Sequence, residues 1–191
     1  AYYDDWSWGY YLYGMQPSTT YEVRILPGMK DVYGAEIRTE TVLSFTTAAY
    51  EPSAYLQLPG GTVLYRSGGP QEFYASYRNI RTLDLELYQL SVDTFLKMDT
   101  GVINRWDFDP SSYDLVWSKR VTSTAALNER ALSSFTMTGS DGGALSPGIY
   151  FLGIRTPEVP RYSSLYNDSR VLIVADANIT LKTTTEEALM W

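Results

Sequence analysis

Cysteine and histidine are both missing from the 191 residues. Their absence excludes a disulfide, a Cys nucleophile, a Ser-His-Asp triad and a His-ligated zinc centre. Carboxylate, lysine and tyrosine chemistry stays open, and so does the redox compartment. Long apolar runs are missing too. The longest, near residues 171–175, is far short of the roughly 20 residues that cross a bilayer. No signal peptide is visible. Positive charge is scarce, with 15 bases against 22 acids and a net charge of −7. A phosphate-binding surface needs clustered bases. The closest such pair in the early strands, Arg78 and Arg81, stands beside Asp84 and Glu86. Nucleic acid is therefore not an expected partner.

What the chain does have is aromatic bulk: 17 Tyr and 5 Trp. These suit strands and large buried side chains. A β-sandwich takes roughly 100 residues, so there is room for one complete domain and pieces of others. The chain starts on Ala1 and ends on Met190-Trp191 as an apolar run begins. It reads as a fragment of a longer protein.

The organising stretch runs from Leu43 to Leu56. Residues 42–47 read as a strand, and another begins at Ala54. Between them lie Ala48, Ala49 and Pro52. Proline cannot donate to a ladder and holds Glu51 extended. This is expected to be a short linker between two β-domains.

Residues 1–16 are rich in aromatics. Trp6, Trp8 and Tyr10 share one parity, Tyr11 and Tyr13 the other. They fit a core or interdomain strand, with a sugar-stacking platform as the alternative. Tyr21, Val23 and Ile25 then alternate with Glu22 and Arg24, the period of a half-buried strand. Pro27-Gly28 and residues 30–34 are turns, the second using Gly34 for positive φ. Residues 37–47 are expected to return as the closing strand. Tyr21, just after Pro17, fits the corner motif of Ig-like sandwiches, in which the hydroxyl bonds back to the backbone.

The pattern Pro17, Thr19, Tyr21, Val23, Ile25, then Gly28, Asp31, Gly34, then Phe45-Thr-Thr-Ala48 resembles the C-terminal half of a bacterial Ig-like module. It is a fold signature without catalytic content.

Beyond the linker, 62–65 and 72–77 are strand-like, with Pro59-Gly60-Gly61 a turn. Leu83, Leu85 and Leu87 are expected inward, and Asp84, Glu86 and Tyr88 outward. Ser91 caps a short helical turn, with Phe95 and Leu96 closing over the core. Residues 107–112 form a loop and 115–118 a strand. Residues 124–135 are read as mostly β. Residues 139–143 are a loop, 145–154 a strand fed by Pro147-Gly148, and 170–175 the closing strand. Residues 178–181 and 188–191 are expected to open a further module.

This second stretch resembles a macroglobulin domain of the bacterial alpha-2-macroglobulin family. The carriers are Leu87-Tyr88, Leu145-x-Pro-Gly-Ile-Tyr150, Asp176-Ala-Asn-Ile-Thr-Leu-Lys182 and Glu187-Ala-Leu-Met-Trp191, in that order. With the Ig-like half before it, the order fits the N-terminal portion of such a protein. The resemblance implies protease inhibition by trapping: a bait segment is cut, the modules rearrange, and the protease is enclosed. In many members a Cys-Gly-Glu-Gln thioester then captures it. This chain has no Cys and no identifiable bait segment, so the family would make it scaffold.

Four constellations compete with that expectation. Asp107, Asp109 and Asp114 crowd one loop and offer oxygens to calcium, but the spacing is not that of an EF-hand and solvated carboxylates are the simpler account. Asp84 and Glu86 share a strand face, as acid pairs of glycosidases do, yet the leucine alternation already explains them. Asn167-Asp-Ser169 and Asn178-Ile-Thr180 match glycosylation acceptors, which matter only in a eukaryotic secretory host. Gly60-Gly61 and Gly142-Gly143 lack the Lys and helix of a phosphate loop.

The sequence therefore predicts an all-β chain of tandem antiparallel sandwiches, Ig-like and macroglobulin-like, with little helix. The expected divisions are 1–48, 49–174 and 175–191. It assigns no catalytic, cofactor-binding or metal-ligating residue and no enzyme activity. Expected partners are neighbouring domains of the same polypeptide, and proteases through the full-length protein. The expected location is secreted, periplasmic or cell-surface, with no membrane contact by this segment. An Ig-like spacer or adhesion module is the alternative, and a carbohydrate-binding module a second.

Overall fold

The computed structural model describes residues 2–4, 9–31, 33–159, 166–177 and 181–190. The chain divides into two compact units, Ala1–Tyr50 and Glu51–Trp191.

The first unit holds β1 (Tyr2–Asp4), β2 (Gly9–Tyr11), β3 (Thr20–Ile25) and β4 (Thr41–Thr46). β1 pairs with β2 and β3 with β4, both antiparallel. β4 is shorter than the expected 37–47 strand. Glu36 bridges to Lys30, and residues 37–40 lie outside the ladder.

The Ig-like pattern of the sequence has a physical reading here. The Gln16 N–H donates to the Tyr21 hydroxyl at 2.6 Å, the expected corner bond. Thr47 Oγ1 donates to the Gln16 carbonyl at 2.6 Å and accepts from the Thr19 N–H at 3.0 Å, locking the strand ends. Asp31 Oδ1 accepts from the Tyr33 and Ala35 N–H groups at 2.9 and 2.8 Å, building an Asx turn. Gly28 and Gly34 take φ of 97° and 85°, which side-chain-bearing residues rarely adopt. Val23 and Ile25, with Leu12, Met29, Leu43 and Phe45, line an apolar concavity of about 400 Å³ on this ribbon.

The second unit contains β5 (Ser53–Gln57), β6 (Thr62–Arg66), β7 (Glu72–Arg78), β8 (Thr82–Leu90), α1 (Val92–Asp99), β9 (Leu115–Thr122), β10 (Arg130–Thr136), β11 (Gly148–Arg155), β12 (Asp168–Ala175), β13 (Leu181–Thr183) and β14 (Ala188–Met190). Its body is a sandwich of a three-stranded sheet, β10-β7-β5, and a five-stranded sheet, β6-β12-β11-β8-β9. β13 and β14 form an antiparallel pair of their own. All pairs in the sandwich are antiparallel except β12 with β6, which run parallel, so the larger sheet is mixed.

Alternation builds the core. Leu83, Leu85 and Leu87 of β8, Tyr150, Leu152 and Ile154 of β11, and Leu172 and Val174 of β12 point inward. They meet Ala54 and Leu56 of β5 and Phe73, Ala75 and Tyr77 of β7. Phe73 makes an edge contact with Trp117 at 6.2 Å and a tilted one with Phe135 at 5.4 Å.

The larger sheet is also covered on its other face, which the sequence did not announce. Phe151, Leu90, Phe108 and Tyr166 form a second cluster there, joined by Tyr88, Met98, Ile103 and Tyr113. The cover comes from α1, the 3-10 turn Arg105–Asp107 and the loop that follows. Ser91 caps α1 as expected, accepting from the Thr94 N–H at 3.1 Å. Leu96 does not close over the core and is 52% exposed. In a helix whose inner positions are Thr94 and Met98, Leu96 falls on the opposite side.

Residues 124–135 are less β than expected: strand begins only at Arg130. Asn128 sits at φ 68°, and its N–H donates to Asn79 Oδ1 at 2.6 Å. That turn, anchored to a residue 49 positions away, holds the chain out of the ladder.

Gly153 explains how two covered faces fit one strand. A Cβ there would lie 2.3 Å from the Tyr166 ring. Gly153→Ala should destabilise the unit by about 2–3 kcal/mol through overpacking, read as a lower urea midpoint. Gly60→Ala, where a Cβ meets nothing within 4 Å, is the matched control and should leave the midpoint in place. Equal midpoints for the two variants would contradict this packing.

Candidate functional site

The most concentrated chemistry in the chain lies on the outer face of β8. Glu86 was expected outward, and on that outer face only 9% of it is exposed. It does point away from the inter-sheet core, into the second cluster. A carboxylate placed there needs partners. Tyr166 donates to Glu86 Oε2 at 2.7 Å and Tyr88 to the same oxygen at 3.1 Å. Arg155 of β11 pairs with Oε1.

Register makes this arrangement. Glu86 lies directly across from Gly153, so the Tyr166 ring, seated on that glycine, reaches the carboxylate. Phe151 packs edge-on against Tyr166 at 5.5 Å and Phe108 against Phe151 at 5.2 Å, shielding the group. Burial, then the bonds to Tyr88 and Glu86, push the Tyr166 hydroxyl far above its ordinary value. Burial also raises Tyr88, with Glu86 adding to the effect. Both hydroxyls are therefore locked as donors at neutral pH. The set can hold a charge in place, but it offers no tyrosinate and no free general base.

Three further ties join distant segments. Asp168, at the start of β12, accepts from the Leu56 N–H of β5 at 3.0 Å and from its neighbour Ser169 at 2.8 Å, and pairs with Arg170. The Leu56 group lies on an edge strand and would otherwise lack an acceptor in the core. Gln71, 1% exposed, accepts from the Leu145 N–H at 3.1 Å and donates to the Arg66 carbonyl at 3.2 Å. Asn79 and Asn128 exchange two hydrogen bonds.

The other candidates of the sequence are dispersed. Asp84 forms a two-bond pair with Arg120, at 2.6 and 3.0 Å. The Arg120 guanidinium holds its carboxyl below the ordinary value. Asp84 and Glu86 thus have separate arginines, and neither is left open as an acid or base. Asp107 accepts from Asn104 Nδ2 at 2.7 Å, and Asp109 from the Ser111 N–H at 2.9 Å. Asp114 lends its carbonyl to the Gln89 N–H at 3.0 Å. Among the described residues no three acidic side chains converge on one point.

Asn167 accepts from the Thr156 N–H at 2.7 Å through Oδ1 and donates through Nδ2 to Val159 at 3.5 Å, so its amide is a loop tie. Asn178, Trp6 and Trp8 lie outside the described residues, and of Tyr10 only the backbone is described. Tyr11 and Tyr13 are 42% and 75% exposed, with rings stacked at 6.4 Å. Gly60 and Gly61 precede β6, and Gly142 and Gly143 close a tight loop with Gly139 and Asp141.

Comparison with solved structures addresses the architecture as a whole. Its fold is similar to that of bacterial alpha-2-macroglobulins. A structure of native alpha-2-macroglobulin from Escherichia coli spanning domains MG0-NIE-MG1 matches 90% of this chain at TM-score 0.56 and 15% identity. A mutant Salmonella alpha-2-macroglobulin matches 88% at TM-score 0.62 and 13% identity. The chain covers 54% of the first of those chains and 10% of the second. No protein-family profile and no curated protein matches the sequence. At these identities the likeness is one of fold. No helix among the described residues is long and apolar enough to cross a membrane.

Two outcomes follow from the charges on β8. Glu86→Ala strips Arg155 and two hydroxyls of their acceptor and should cost about 2–3 kcal/mol in urea unfolding. Glu86→Gln, which keeps an acceptor for the hydroxyls, should cost about half as much. Equal effects, or none, would show that the network is unimportant. For Asp84 the native carboxyl lies below its ordinary 3.8, so its pair stabilises the fold above about pH 4 and is lost as pH falls through the lowered value. Arg120 is 74% exposed and screened, so Asp84→Asn should cost only about 0.5 kcal/mol at pH 7. The gap between wild type and Asp84→Asn should close as the pH falls below 3.8 and through the lowered value. A gap that widens in acid would contradict the pairing.

Proposed function

We propose that this chain is a non-catalytic scaffold segment of an alpha-2-macroglobulin-like inhibitor that traps proteases. The observation that supports it is the fold likeness, which extends over 90% and 88% of the chain in the two comparisons above. The internal chemistry fits a scaffold. Glu86, Asp84, Asp168 and Gln71 each spend their hydrogen-bonding capacity on this chain's own arginines, hydroxyls and backbone. Such ties hold a module rigid, so that neighbouring modules keep a fixed angle until a cut elsewhere releases them.

In this proposal residues 1–48 are part of an Ig-like module, 49–174 a macroglobulin-like sandwich and 175–191 the opening of the next one. The apolar face of the β3–β4 ribbon supports the first division. Leu43 and Phe45 are 52% and 37% exposed there. A two-stranded ribbon alone is marginal in water. The partners are neighbouring modules of the same polypeptide, and a protease only through the whole protein. The location is periplasmic, secreted or cell-surface. An Ig-like spacer of a surface protein is the second reading, favoured by the Tyr21 corner bond alone. A Cys-Gly-Glu-Gln sequence in the parent protein supports the trap, and tandem copies of the Pro17 to Ala48 pattern the spacer.

The isolated chain, at tenfold molar excess over trypsin, should leave cleavage of both casein and a small amide substrate unchanged. The full-length parent should suppress casein cleavage while sparing the small substrate, since an enclosed protease keeps its active site. Inhibition by the chain alone, or none by the parent, would sink the proposal.

A further inference from the structure

A concavity of about 510 Å³ in the second unit lies on the outer side of the five-stranded sheet where α1 ends and the 3-10 turn begins. Phe95, Met98 and Ile103 supply apolar wall, and Arg105 and Trp106 line it with them. Val171 of β12 and Thr62 of β6 also border it.

Arg105 is the unusual member. It is half-buried, and its Nε is enclosed without a hydrogen-bond partner. Among the described residues no acidic side chain forms an ion pair with it. Asp168, the acid whose field favours it, is already engaged by Arg170, Ser169 and the Leu56 N–H. Burial first, then repulsion from Arg170, draw the Arg105 guanidinium below its ordinary value, yet it stays cationic at neutral pH. An enclosed N–H without an acceptor is costly. Its one described contact is with Trp106, whose ring centroid lies 5.0 Å from the guanidinium carbon. A cation–π contact sets the cation over the ring face and supplies no oxygen acceptor to its N–H groups.

We propose that this concavity is a binding site for a carboxylate carried on an apolar body. The carboxylate takes the terminal N–H groups of Arg105, and the body lies against Phe95, Met98 and Ile103. Inorganic phosphate is disfavoured: a dianion needs more than one cation, Arg170 is neutralised by Asp168, and Asp99 also borders the cavity. A free organic acid and an acidic peptide segment share the required chemistry. The site stands whether or not the chain belongs to a protease trap.

The test is a titration of the 191-residue chain followed by ¹H–¹⁵N NMR, with phenylacetate, phenylacetamide, inorganic phosphate and the capped peptide Ac-Ala-Leu-Glu-Leu-Ala-NH₂ as probes. Phenylacetate should bind with a Kd of about 1–10 mM. Its shifts should centre on residues 95–106 and the Trp106 indole N–H. Phenylacetamide and phosphate should shift neither. Binding of the peptide more tightly than phenylacetate identifies a protein segment as the source; weaker peptide binding identifies a small acid. Arg105→Met should weaken binding about tenfold or more. Asp99→Asn, on the exposed end of α1, should strengthen it about twofold by removing a repulsive charge. The idea is overturned if neither phenylacetate nor the peptide shifts these residues, if phenylacetamide binds equally well, or if binding survives in a folded Arg105→Met chain. Should that variant not fold, weaker or unchanged binding by Asp99→Asn overturns it instead.

Discussion

A carboxylate on the covered face of a sheet must be answered from outside its own strand, and much of the second unit is arranged around that requirement. Glu86 has Arg155 on the adjacent strand and Tyr166 arriving from beyond it. Tyr166 can arrive only because position 153 has no side chain. Its ring then becomes part of the apolar cluster with Phe151 and Phe108, which α1 and the 3-10 turn help to close. One ionic group thus couples strand register, a glycine and a covering layer. Replacing such a group by apolar residues is often neutral or stabilising. Here it ties β8 to β11 through Arg155 and to the Tyr166 ring of the outer cluster.

The two sheets are joined by the same logic on a smaller scale. An edge strand leaves N–H groups unpaired. β5 solves this at Leu56 by donating to Asp168 of the opposite sheet. Gln71 does the same for the chain entering β11, through Leu145. These bonds leave the sandwich with few unsatisfied groups and no assembled reactive centre among the described residues. In the scaffold role proposed above, such ties would keep the module rigid.

What could be read from the sequence follows the range of the interactions. The Leu83, Leu85, Leu87 alternation and the Tyr21 corner are local, and both stand where expected. The Asx turn at Asp31 and the Ser91 cap are equally local. Glu86 was placed on the right face with the wrong surroundings, because Arg155 and Tyr166 lie 69 and 80 residues away. Alternation says which side of a strand a residue occupies, not whether that side is wet. Asp168 and Leu56 are 112 positions apart, and nothing in either neighbourhood points to the other. Gly153 looked like any glycine in an apolar strand. Leu96 was misplaced because it stands two residues from each of the inner positions Thr94 and Met98, on the opposite side of the helix.

The central claim is that the outer layer, residues 91–113, and the five-stranded sheet beneath it form one cooperative body locked through Glu86. Native-state amide hydrogen exchange tests it most directly. The account predicts that amides of α1 exchange with nearly the same opening free energy as those of β8 and β11, and that Glu86→Gln lowers all three together. Rapid exchange throughout residues 91–113, with β8 and β11 still protected and unmoved by the substitution, would contradict it.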